Sequence, residues 1–130
     1  MKTLKKDDLI YPELCYKIIG ALFKTHTNVG PGHRENFYQK ALAQEFDKIG
    51  IKFIKELPAK ISYNNKVIGM YYFDFLVEEK VVLETKVRNY FSYKDIQQLY
   101  SYLKAKNLRL GIIAHFTQSG VKFKRVVNLI

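Results

Sequence analysis

YYFDFLVEEKVVLETKVR, residues 71–88, reads as two strands joined by a tight acidic turn at Glu78 and Glu79. Successive side chains on a strand point to opposite faces. Glu84 and Lys86 therefore share one face, with Leu83, Thr85 and Val87 on the other. If the hairpin pairs about its Glu-Glu turn, Asp74 falls opposite residues 82–84. The expectation is a patch where two acids and a lysine converge.

Charges at such positions call for a reason. Asp and Glu are disfavoured inside strands, and here Phe73, Phe75, Leu76, Val82 and Leu83 crowd them with side chains that belong in a core. Paired carboxylates suit hard, oxygen-seeking cations such as Mg2+ or Mn2+. A lysine beside such an ion is placed to orient or deprotonate a water. Spacing alone favours a surface salt bridge on an edge strand, because an acid followed ten residues later by Glu-x-Lys is a short pattern that arises by chance.

The 130 residues suit one domain, residues 1–130, with a real core. Ten Tyr and nine Phe within a 48% hydrophobic composition exclude a disordered tail. No apolar run approaches a membrane span, and the Met1 to Lys6 start lacks the apolar stretch of a signal peptide. One cysteine, Cys15, cannot form an internal disulfide, so a reducing cytoplasm is the expected setting. Lysine and arginine outnumber the acids 22 to 12, for a net charge of +10. Such an excess attracts polyanions, of which nucleic acid is the commonest; a membrane surface, an acidic protein or a genome-wide lysine-rich composition is served by the same charge.

Upstream, residues 7–26 carry a helical pattern of Leu14, Ile18, Ala21, Leu22 and Thr25, with Asp7 or Asp8 available as cap. The loop Asn28-Val-Gly-Pro-Gly32 leads to a second helix over about 33–49 with an apolar stripe of Phe37, Ala41, Leu42, Phe46 and Ile49, stopped by Gly50. Glu35 sits in its first turn, where an acid is ordinarily a dipole or capping partner, and Tyr38 follows on the same face. From residue 51 the period becomes two: a strand interrupted at Pro58, an Asn64-Asn65 turn, then strands over 67–77 and 81–87, a meander. Downstream, Ser92 caps a helix over 93–106 with Ile96, Leu99, Tyr100 and Leu103 buried; residues 108–116 read as a buried strand and 121–127 as an edge strand. His115, near a strand end, is read as structural.

Taken together, the order ααβββαββ, with Asp on one strand and Glu-x-Lys on the next, resembles the restriction-endonuclease-like core of the PD-(D/E)XK nuclease superfamily: an α/β (α+β) fold with a central mixed β-sheet flanked by helices. Gly32-His-Arg-Glu35-Asn-Phe-Tyr38 fits the Gly-x-x-Glu-x-x-Tyr signature of the GxxExxY proteins, and Gln98 with Tyr102 is similar to the Gln-x-x-x-Tyr of RecB-type nucleases. Phe73 stands where the superfamily name places proline.

The resemblance implies a metal-dependent nuclease hydrolysing phosphodiester bonds in DNA. In that reading Asp74, Glu84 and the Thr85 carbonyl hold Mg2+ (or Mn2+), with Glu35 approaching the metal directly or through water, and Lys86 positions the attacking water. Gln98, Tyr102, Tyr38, Arg88 and Lys94 are the candidates for bracing the site or contacting nucleic acid. A homodimer is expected where two strands are cut. The competing expectation is a non-catalytic nucleic-acid-binding or protein-interaction module on the same fold, its many tyrosines serving an interface.

Overall fold

The computed structural model describes residues 9–129. In chain order the elements are α1 (Pro12–Val29), α2 (Glu35–Lys48), β1 (Phe53–Tyr63), β2 (Lys66–Val77), β3 (Val81–Lys86), α3 (Tyr93–Lys106), β4 (Leu110–Phe116) and β5 (Val121–Val127). The strands form one sheet in the order β1-β2-β3-β4-β5. It is mixed: β1, β2 and β3 are antiparallel neighbours, β3 and β4 run parallel across α3, and β4 and β5 are antiparallel. This is the expected α+β architecture, with the expected element order.

Two apolar layers hold the sheet. On one face Cys15, Ile18, Ala21 and Leu22 of α1 and Tyr38, Leu42 and Phe46 of α2 pack on Phe75, Val77, Val81, Leu83, Leu110, Ile112, Ala114 and Phe116. On the other, Leu99 and Leu103 of α3 cover Ala59, Phe73, Val82 and Ile113. Covered on both sides, β4 is buried along its whole length, which is why it reads as an unbroken apolar run. Each fully buried Leu, Ile or Phe there contributes about 1.5–3 kcal/mol. Gly111 lets α3 approach: a Cβ there would lie 2.7 Å from the buried Leu99 side chain.

Four local expectations are corrected. The first helix begins at Pro12, whose ring suits the first helical position, and runs to Val29; the Asp7 and Asp8 caps lie outside the described residues. In α2 the buried stripe is Tyr38, Leu42, Glu45 and Phe46, while Phe37 and Ile49 are exposed. The helix is rotated from the expected face because α1 and the sheet claim the side that carries Tyr38. Tyr100 is likewise exposed, under the Lys104 ammonium, and α3 buries Leu99 and Leu103. Pro58 does not interrupt β1, where it faces Tyr72, because an edge strand paired on one side tolerates a residue lacking an N–H.

Both hairpin turns are where the sequence puts them. Asn64 and Asn65 have φ of 50° and 64°, Glu78 and Glu79 of 52° and 59°, and the Lys80 N–H closes the second turn on the Val77 carbonyl at 3.0 Å. Paired left-handed residues match the twist of the flanking strands.

A candidate active site at the fork of two strands

β2 and β3 pair over only three positions, Val77↔Val81, Leu76↔Val82 and Phe75↔Leu83. Beyond them the strands part, and the backbone groups at the fork take side chains as partners. The Asp74 N–H donates to Glu84 Oε1 at 3.2 Å, and the Thr85 N–H donates to Asp74 Oδ2 at 2.7 Å. The two acids therefore occupy the opening as substitutes for a lost ladder, which keeps buried amides satisfied. The Thr85 hydroxyl adds a second donor to Asp74 Oδ2 at 2.9 Å and accepts from Gln39 Nε2 at 3.2 Å.

The backbone also turns here. Phe73 and Phe75, two residues apart on one strand, lie in opposite core layers. The break falls at Asp74, and Glu56, between the β1 partners of those two phenylalanines, has φ 56°. Such an irregularity re-aims side chains next to functional sites.

Glu84 and Lys86 share a face as alternation requires, with Lys86 Nζ 3.9 Å from Glu84 Oε2. Burial, then the hydrogen bond and the charge of Asp74, push the Glu84 carboxyl up to about 9, against the opposing pull of Lys86. The Glu84 carboxyl therefore keeps its proton at neutral pH.

Glu35 opens α2 half-buried above this pair; burial and the Asp74 charge raise its pKa, while Lys86 and Arg88 lower it. Its placement begins in the preceding loop, where Gly30 and Gly32 have φ of 85° and 87°, a region closed to most side chains. The Tyr38 hydroxyl donates to the Gly30 carbonyl at 2.6 Å, and its ring stacks on Phe116 at 4.3 Å. Tyr38 is fully buried, so it braces the loop and the start of α2 and has no surface to offer a nucleic acid.

On the other face α3 supports the strand that carries Asp74. The Tyr102 ring packs on Phe73 at 4.9 Å, and the Gln98 backbone carbonyl, not its side chain, accepts from the Tyr71 hydroxyl at 3.5 Å. Burial raises the Tyr71 phenol, followed by the Glu84 charge. Arg88 Nη1 donates to Asp95 Oδ2 at 3.1 Å. Lys94 is exposed in the first turn of α3.

Two neighbours, Gln39 and Tyr71, escaped the sequence reading, and His115 adjoins the site as well. Gln39, one helical turn after Glu35, could have been found from that spacing. Tyr71 could not, since strand alternation across the break at Asp74 misassigns its face. His115, a register partner of Lys86 on β4, is buried with neither ring nitrogen hydrogen-bonded. Burial, then Arg88, pushes its pKa down to about 4, so the ring stays neutral.

Among the described residues no group of three His, Cys, Asp or Glu side chains is close enough to enclose a metal ion as it stands. The Asp74–Glu84 pair nevertheless fits a hard divalent cation, because the donors are carboxylate oxygens that the Asp74 and Thr85 amides hold together at the fork.

A five-stranded mixed sheet between helices, with two acids and a lysine at its forked hairpin, defines a restriction-endonuclease-like domain. A family model for the PD-(D/E)XK nuclease superfamily matches residues 12–126, and the chain belongs to that superfamily, whose members are typically nucleases and generally use divalent metals. Among solved structures, that of SSO0001 is similar, with a TM-score of 0.44 and 11% identity, covering 91% of this chain and 79% of that one. No curated protein matches the chain. No helix among the described residues is long and apolar enough to cross a membrane.

Proposed function

We propose that the chain is a metal-dependent nuclease that hydrolyses phosphodiester bonds in DNA. The observation that carries the reading is the convergence of Asp74 and Glu84 at the strand fork, each accepting from a backbone amide, with Lys86 Nζ 3.9 Å from Glu84 Oε2. Asp74, Glu84 and the Thr85 carbonyl would hold Mg2+ or Mn2+, with Glu35 nearby. When bound, such an ion supplies Lewis acidity toward a phosphoryl oxygen and an acidified water.

The protein's own groups do the rest. The Gln39 to Thr85 to Asp74 hydrogen-bond chain orients the Asp74 carboxylate. Lys86 places an ammonium where negative charge builds on the phosphate during attack. The excess of basic residues attracts the substrate without reading its sequence. The Gly32, Glu35 and Tyr38 spacing supports placing the chain with the GxxExxY proteins of the superfamily. A homodimer is the assembly that would present two such sites to two strands.

The test is cleavage of labelled linear, single-stranded and branched DNAs in Mg2+ or Mn2+ against EDTA. Wild type should cut only with metal, and Glu84→Ala should not cut. Lys86→Ala should lose at least about a hundredfold in turnover while its DNA affinity in EDTA stays within about twofold of wild type, the change expected of a group that acts only in the transition state. Equal losses of binding and turnover would remove Lys86 from that role. Binding with no cleavage under either metal would leave the non-catalytic module in its place.

A further inference from the structure

The loop between β3 and α3, residues 87–92, holds two aromatic rings that face opposite ways. Phe91 turns inward and stacks on His115, centroids 4.1 Å apart and planes 18° apart, with the Lys124 ammonium 5.1 Å from its centroid. That contact anchors the loop. Tyr90 turns outward and is 65% exposed, four residues beyond Lys86.

Arg88 ties this exposed ring to the site. Its guanidinium, two residues beyond Lys86 and held by Asp95 at 3.1 Å, lies 5.3 Å from the Tyr90 centroid. Tyr93 stands 75% exposed three residues further on, followed by exposed Lys94. Exposed rings interleaved with fixed cations are what single-stranded nucleic acids bind, through base stacking and phosphate contacts. The surrounding Arg88 and Lys94 favour an anionic occupant over an apolar protein face.

We propose that Tyr90 is a stacking platform for an unpaired base beside the phosphodiester cut at Asp74, Glu84 and Lys86, so that the substrate is single-stranded or locally opened DNA. This rests on the nuclease reading above. Within a duplex both faces of an internal base are covered by its neighbours, so only an unpaired, terminal or extruded base offers a face to Tyr90.

The test measures binding in EDTA of a single-stranded oligonucleotide carrying 2-aminopurine and of a relaxed, covalently closed circular duplex, which has no terminal base, with wild type, Tyr90→Ala and Tyr90→Phe. Wild type should prefer the single strand and change the 2-aminopurine fluorescence. Tyr90→Ala should weaken single-strand binding about tenfold, leave duplex binding unchanged and abolish the fluorescence change, while Tyr90→Phe should behave as wild type. Since Tyr90 is exposed, these changes leave the core intact. If Tyr90→Ala binds both forms as wild type does, or loses both equally, the platform is overturned while metal-dependent cleavage by wild type still stands as a separate result. If wild type binds neither form, platform and DNA reading fall together.

Discussion

At Glu84, burial and the Asp74 carboxylate act in the same direction, and the consequence is measurable without any substrate. The folded carboxyl titrates at about 9 against an ordinary value of 4.5. Between those values the unfolded chain has given up the proton that the folded chain keeps. Stability from this group is therefore fully present below about 4.5 and lost as pH rises through about 9. In EDTA the Tm of wild type should fall between pH 5 and pH 9. Glu84→Gln, which keeps a hydrogen-bonding amide and cannot ionise, should show a flatter profile and a higher Tm than wild type at pH 8. Parallel profiles for the two proteins would mean that the Glu84 carboxyl is not held protonated. His115 acts at the other end of the scale: with its pKa lowered to about 4, its contribution is lost as pH falls below the ordinary 6.5.

Among the elements, the β1–β2 ribbon is the one whose irregularity reaches the site. Glu56 has φ 56° on an edge strand, facing the position where Phe73 and Phe75 part to opposite sides of the sheet. A left-handed residue with a Cβ costs about 1–2 kcal/mol, and a β-branched one more. Glu56→Val should therefore lower the unfolding free energy by at least about 1 kcal/mol, and Glu56→Gly should not, because glycine enters this region freely. Urea denaturation of the two variants tests this. A Val variant as stable as wild type would show that β1 does not need the left-handed turn. The same strand has Pro58 two residues on, and together these features discourage a further strand from pairing at this edge.

Over the whole molecule the net charge of +10 is set against an acidic site, so that in the proposed reading the surface would attract the polyanion and the carboxylates would act on it only once they hold a cation. DNA affinity should accordingly fall as salt rises. For about four phosphate contacts on a single strand, raising salt from about 50 to 200 mM weakens binding about fiftyfold. A titration series across that range measures the number of contacts through its slope. Affinity independent of salt would mean that the lysines and arginines are not what holds the DNA.

The meander, its two turns, the buried β4 and the alignment of Asp74 with Glu84 and Lys86 were all legible in the sequence. Strand alternation and turn chemistry are local, and a hairpin with a short turn leaves few ways to pair. The resemblance to the GxxExxY signature also marked Glu35 and Tyr38, but the sequence did not tell the exposed Phe37 from the buried Tyr38. Which side of a helix is covered depends on segments distant in the chain, here Phe116 and the Gly30 carbonyl that meet Tyr38. Tertiary structure alone decided that β2 and β3 part after three pairs, that the carboxylates fill the gap, and that Glu84 keeps its proton. Those outcomes follow from where α2, α3 and β4 press on the hairpin, because burial and the approach of one charge to another are properties of the packed molecule.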